Sequence, residues 1–286
     1  MTFLFERRLC LGGLEILVRC DRPCVLELAG SWDGYQSSGR TPDLVHEFRA
    51  VAGFAQEQPA DRPYPGFGCK ADDSGRYEFA RKDASGELTI DTDPNTALVT
   101  RFTGAPTRGA LESTLRLALS ACLLKRGGFL VHGTGVASDE RAIVLAGPSG
   151  AGKSTLHRLL AGVVKNDKLL GDEIIIIRPE PLGNLNGTLQ YRAYATPFGG
   201  ECPGVRDASG PLTALYFLVK AARHRAALLT PREGMPLLLR NVLAYVQEAR
   251  AAALSLTGAT ALVGRVPCYR LEFLPDHGIT KVLGVS

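Results

Sequence analysis

Between residues 9 and 18 the apolar side chains fall on alternate positions: Leu9, Leu11, Leu14, Ile16 and Val18 flank a Gly12-Gly13 pair. A period of two is that of a strand with one buried face, and the glycine pair predicts a tight hairpin between two such strands. A second hairpin is predicted from Tyr77–Ala80 and Leu88–Asp91, joined across Asp83-Ala84-Ser85-Gly86. The proline- and glycine-rich stretch Glu57–Gly68 reads as a surface loop, and one helix is expected near His46–Ala55. From Gly109 to Lys125 the period changes. Leu111, Leu115, Ala118, Leu119 and Cys122 recur at helical spacing until Gly127-Gly128 stops them. Phe129–Ala137 is strand-like, the polar turn Ser138–Arg141 follows, and Ala142–Ala146 forms the second arm of a hairpin. Further on, the pattern predicts a strand over Leu212–Val219, another ending at Thr230, a helix over Pro236–Leu254 and a closing strand over Cys268–Phe273. The expectation is a β-rich domain over residues 1–105 and an α/β domain over residues 106–286.

A chain of 286 residues with 45% hydrophobic and 22% charged residues has the composition of a globular protein with a sizeable core. The net charge of +4 and the lack of a run of basic residues argue against nucleic-acid and membrane-surface partners. Met1–Phe5 is apolar with Arg7-Arg8 after it, the reverse of a secretory signal, so a cytoplasmic location is expected. Seven cysteines, without a C-x-x-C pair, read as free thiols rather than a zinc site. Trp32, Tyr35, Tyr64 and Phe67 read as packing residues, since nothing polar converges on them in the sequence.

The chemistry concentrates after Ala146. Gly147-Pro148-Ser149-Gly150-Ala151-Gly152-Lys153-Ser154 satisfies G-x-x-x-x-G-K-[ST], with an apolar strand before it and a helical pattern from Thr155 onward. The glycines let the main chain curl around a polyphosphate without a Cβ in the way. Lys153 would reach the β- and γ-phosphates, Ser154 would ligate Mg²⁺, and the helix N-terminus would face the anion. The residues from Gly147 to Thr155 are therefore candidates for binding ATP with Mg²⁺. Nineteen positions after Lys153, Asp172-Glu173 sits inside an apolar run. Two adjacent carboxylates there are costly to bury unless they meet a metal, a cation or a reacting proton, and the alternative is a solvated turn. His132, in the strand before the loop, is either a satisfied core histidine or a catalytic one. The basic cluster from Lys220 to Arg225 is either a solvated hairpin tip or a stabiliser of phosphate charge.

A His-Gly strand, a turn, a strand into a glycine-rich G-K-S loop and an acidic pair some twenty residues later resemble the HPr kinase/phosphorylase family. Phosphoenolpyruvate carboxykinase shares the looser arrangement. The resemblance covers His132 to about Ile177 and continues weakly to the C-terminus. It implies a P-loop kinase core with a mixed α/β sheet and phosphorylation of a serine hydroxyl of a protein or peptide, a small alcohol being the other open acceptor. It also implies homo-oligomers and catalytic roles for His132, Lys153 and either Asp172 or Glu173. Ser154 and Asp172 stand where metal ligands are expected. The family's E-x-R-G loop is not legible; Thr196–Glu201 occupies that region, which makes Glu201 a candidate metal or substrate residue. A nucleotide-hydrolysing or nucleotide-sensing module is the rival from another class.

Overall fold

The period-two pattern at the N-terminus builds β1 (Phe5–Leu11) and β2 (Leu14–Cys20), paired antiparallel with Leu11 opposite Leu14. The computed structural model describes residues 3–23, 32–55, 67–72, 75–91, 93–164, 169–181, 189–199, 207–245 and 249–285. By internal contacts the chain divides into two units, Met1–Arg126 with Leu243–Leu254, and Gly127–Val242 with Ser255–Ser286. The protein is a strand-rich mixed α/β chain.

The first unit holds a seven-stranded mixed sheet in the order β1-β2-β3-β7-β6-β5-β4. Its further strands are β3 (Leu44–Ala50), β4 (Gly68–Ala71), β5 (Arg76–Arg81), β6 (Ala84–Thr89) and β7 (Leu98–Gly104). The helix expected near His46–Ala55 is a strand: β3 pairs parallel with both β2 and β7. Leu44, His46, Phe48 and Ala50 are its buried alternate positions, a period of two that the polar character of His46 conceals. The second hairpin forms, with Arg81 opposite Ala84; its turn is Lys82-Asp83, and Ala84, Ser85 and Gly86 belong to β6 rather than to the connection.

Helix α1 (Arg108–Leu124) starts at Thr107, whose hydroxyl accepts from Ala110 N at 3.3 Å, and it packs on β3, β6 and β7. Leu111, Leu115, Ala118, Leu119 and Cys122 are all buried. Its end is tied down as well, since Lys125 Nζ donates to Asp91 and Thr96, and Arg126 pairs with Asp43 at 3.2 Å. These contacts carry the first unit to Arg126 rather than to residue 105. The opposite face of the sheet is a charged ladder: Arg19 pairs with Glu6 and Glu47, Glu47 with Arg101, and Arg76 with Glu87 and Glu78. Trp32, Tyr35 and Phe67 are buried, as packing residues should be; Tyr64 and most of the Glu57–Gly68 loop lie outside the described residues.

In the second unit β8 (Phe129–Ala137) and β9 (Ala142–Ala146) form the expected hairpin. They are followed by α2 (Lys153–Ala161), β10 (Ile174–Pro181), β11 (Leu189–Tyr194), β12 (Ser209–Lys220) and β13 (Arg225–Leu229). The order is β11-β10-β8-β9-β12-β14-β13, with β14 at Cys268–Phe273. β12 is long enough to serve twice. Residues Ser209–Pro211 pair with β11, and the remainder pairs parallel with β9 and β14. The first pairing closes β8, β9, β12, β11 and β10 into a five-stranded barrel, from which β14 and β13 extend.

The helix expected over Pro236–Leu254 is two helices, α3 (Pro231–Leu239) and α4 (Ala249–Val263). The chain leaves α3 because Asn241 and Val242 are drawn to β8: Asn241 O accepts from His132 N at 2.8 Å, and Val242 bridges Val131. A short α5 (Gly278–Leu283) ends the fold, burying Ile279 and Leu283 with Leu156, Leu160, Leu145 and Phe273 in one core cluster. Among the described residues no helix is long and apolar enough to cross a membrane. Cys20, Cys122 and Cys268 are buried, and Cys10 and Cys69 are half-buried; Cys24 and Cys202 lie outside the described residues.

Candidate functional site

All five residues of β9 are buried, so the chain arrives at Gly147 on a rigid support. Gly147 N donates to His132 O at 3.5 Å and Ala151 N to Pro148 O at 3.1 Å, which curls residues 147–152 back over the end of the strand. A Cβ at Gly147 would lie 2.8 Å from that of Ala151, and one at Gly152 would lie 2.5 Å from Phe273 Cζ. Gly152 has φ +104°, a conformation L side chains rarely adopt. It caps α2 without a side-chain hydrogen bond, so the first-turn N–H groups carry the helix's positive end toward the loop. Lys153 is 6% exposed, and its Nζ donates to Gly147 O and Pro148 O, both at 2.9 Å.

The acidic pair reaches the loop through a bulge. Leu169 faces Val136 and Ile174 faces His132, so five steps along one chain span four along β8. Leu170 N donates to Gly135 O, Gly133 N donates to Glu173 O, and the excess is absorbed near Gly171 at φ +104°. Such a bulge turns a side chain away from its regular direction. Here it leaves Asp172 at 4% exposure and Glu173 half-buried, both lining the cavity that Lys153 lines.

That cavity has a volume of about 640 Å³, within the range of small-ligand sites. One flank is formed by His132, Asp172 and Glu173, the floor by Ser149, Gly150, Gly152, Lys153, Ser154 and Thr155, and the other flank by Lys220, Ala221, Phe273 and Pro275. Gly147, Pro148 and Ala151 shape the loop from behind without lining the cavity. Glu201 lies outside the described residues. Among the described residues no group of three His, Cys, Asp or Glu side chains is gathered for a metal ion.

Burial pushes the Lys153 ammonium below its ordinary value, against the opposing charges of Asp172 and Glu173. Burial, then the charge of Lys153, pushes His132 down to about 4, which leaves its imidazole neutral at pH 7. His157 on α2 is lowered by burial, opposed by Asp172 and by a hydrogen bond to the Gly171 backbone, and its Nδ1 lies 3.1 Å from Thr134 Oγ1. His157 therefore joins the loop helix to β8 and to the acidic turn. No motif or period in the sequence marks His157, Ala221, Phe273 or Pro275 as site residues, and Lys220 is marked only as part of the basic cluster. A signal for the second flank was present: ligands gather beyond the carboxyl ends of parallel strands, and Leu212–Val219 and Cys268–Phe273 were legible as strands. Arg223 is held by Glu272 at 2.7 Å and His224 by Asp276 at 2.8 Å, so the rest of the basic cluster is largely paired.

The donor set fits a polyphosphate with a divalent cation: a glycine curl with no room for a Cβ at Gly147 or Gly152, a helix N-terminus, an ammonium, a hydroxyl at Ser154 and two carboxylates around one cavity. No protein-family model matches the chain, and no curated protein is detectably similar to it.

Proposed function

We propose that the chain is an ATP-dependent phosphotransferase moving a γ-phosphoryl group to a hydroxyl, and that its second unit is a P-loop kinase core of the HPr kinase type. The observation that carries this reading is the meeting of the Gly147–Ser154 loop, Lys153 and Asp172-Glu173 in one cavity. Phosphoryl transfer asks for little beyond positioning and charge neutralisation. The loop amides and the start of α2 hold the phosphate chain, and Lys153 bears on its terminal end. Ser154 and Asp172 would hold Mg²⁺, which would supply further neutralisation of phosphate charge when bound. Glu173, less buried than Asp172, is accessible to an acceptor and takes its hydroxyl proton; such a base is worth about 10²- to 10⁴-fold. His132 offers an uncharged hydrogen bond on the same flank. The resemblance to HPr kinase supports a serine hydroxyl of a protein or peptide as acceptor.

Transfer of labelled γ-phosphate from Mg-ATP in native cell extract tests this. Lys153→Ala is expected to lower the labelling of an acceptor by at least about 10²-fold, the scale of removing one preorganised transition-state contact. Equal labelling by wild type and variant would overturn the assignment. Lys153-dependent release of free phosphate with no labelled acceptor would replace it with a nucleotide-hydrolysing or nucleotide-sensing module.

A further inference from the structure

The two flanks of the cavity differ in kind. In the order β10-β8-β9-β12-β14 the carboxylates and His132 stand on the β8 and β10 side, while Lys220, Ala221, Phe273 and Pro275 stand on the β12 and β14 side. β9, β12 and β14 are mutually parallel, so all three carboxyl ends open at the edge where the loop sits. A phosphate chain whose terminal group meets Lys153 and the acidic pair must lead its other end toward the second flank. That flank is apolar apart from one ammonium, and it adjoins the loop directly, since Phe273 is the residue a Cβ at Gly152 would strike.

It is also a built surface. Ala221 N donates to Phe273 O at 3.0 Å, joining the segment after β12 to the end of β14. His224 Nε2 and Asp276 Oδ1 lie 2.8 Å apart, and the same carboxylate oxygen accepts from Gly278 N at 2.7 Å. Two segments distant in sequence are thus braced into one shelf, with Lys220 and Pro275 exposed, Ala221 half-buried and the Phe273 ring seated beneath. A shelf held in place binds without first being ordered.

Resting on the phosphotransferase reading, we propose that Lys220, Ala221, Phe273 and Pro275 form the nucleoside subsite. There the base and ribose of a nucleotide lie against the Pro275 and Ala221 surface and the Lys220 stem, so that the site takes a nucleotide in preference to a bare polyphosphate. The catalytic flank is left to the acceptor.

Calorimetry of ADP and of tripolyphosphate, each with Mg²⁺, on the full chain separates the two ends of the ligand. Pro275→Gly is expected to weaken ADP about fivefold to tenfold, the scale of one lost stacking surface, and to change tripolyphosphate less than about twofold. Photolabelling with 8-azido-ATP supplies a readout that needs no variant: the ATP-protected label is expected on peptides covering residues 220–222 or 273–276. Label on peptides bearing His132 or Asp172-Glu173, or an equal effect of Pro275→Gly on both ligands, would overturn the subsite while leaving nucleotide binding in place. Failure of the wild-type chain to bind either ligand would remove the phosphotransferase reading and the shelf with it.

Discussion

His46 in the first unit and His132 in the second both have imidazoles held far below the ordinary histidine value, at about 3 and about 4, and they are opposite kinds of residue. His46 is fully buried, and burial alone lowers it. Its Nδ1 lies 2.8 Å from Thr100 Oγ1 and its Nε2 lies 3.1 Å from Thr114 Oγ1. Thr114 already gives its proton to the Ala110 and Leu111 carbonyls, so it accepts from Nε2–H, and Thr100 donates to Nδ1. Every polar atom of the neutral ring is used inside the protein, and the residue is a structural pin between sheet and helix. His132 is half-buried and faces a cavity, and part of its shift comes from the Lys153 charge. A depressed histidine is thus no mark of a site by itself. The neighbouring charge and the open space distinguish the two.

Exchanging the substitutions sharpens this contrast most. His46→Ala is expected to cost about 3 kcal/mol, from lost packing and from the Thr100 hydroxyl left without its acceptor, measured by urea unfolding, with transfer per folded molecule unchanged. His132→Ala is expected to lower transfer about 10²-fold and to move the unfolding midpoint little. Comparable destabilisation by the two would break the distinction. A glycine pair comes next. Gly152→Ala meets both a positive φ and the Phe273 ring, and is expected to cost about 2–3 kcal/mol and to abolish nucleotide binding by calorimetry. Gly53→Ala, at φ +72° with nothing within 4 Å of the new methyl, meets only the backbone cost of about 1 kcal/mol.

The pH response of stability is smaller per step. The unfolded chain protonates His46 near 6.5 and the folded chain only near 3, so the unfolded state binds more protons throughout that window. The contribution of His46 to stability is then complete above 6.5 and falls by about 1.4 kcal/mol per pH unit as the pH drops toward 3. His46→Gln is expected to flatten that part of the unfolding profile, and an unchanged slope would assign the acid sensitivity elsewhere. The least effect belongs to the charged face of the first sheet. Arg101 is 65% exposed on its side chain and pairs with Glu47 at 3.2 Å, so Arg101→Ala is expected to change stability by about 0.5 kcal/mol or less in the same assay.

What was legible in the chain was local. The Gly12-Gly13 hairpin, the helix over residues 108–124 and the strand, glycine loop and helix sequence from Ala142 all rest on neighbours in sequence, where period and turn chemistry speak directly. The return of Asp172-Glu173 to Lys153 was legible too, because the spacing leaves room for one helix and a turn. Partners set by distant segments were not legible. β3 is a strand because β2 and β7 flank it in parallel, and His46 hides its buried alternation by being polar. Leu237, Val242 and Tyr245 suit one helical stripe, yet Asn241 and Val242 are taken by β8. The Lys220 and Phe273 flank depends on β12 and β14 lying side by side, a pairing of segments some fifty residues apart.

The closure of β11 onto β12 rests on three residue pairs, Arg192 with Pro211, Ala193 with Gly210 and Tyr194 with Ser209. While it holds, β10, β11 and the start of β12 spend their main-chain groups on one another, and β13 is the outer strand of the described sheet. Were it to open, two fresh strand edges would face solvent, each a template for another copy of the chain. Gly210 is the vulnerable point, because a methyl there would press into the Ser138 and Arg141 carbonyls. A substitution at this position, remote from the loop and its carboxylates, would show itself first as loss of soluble protein on expression, with the chemistry of the surviving molecules intact.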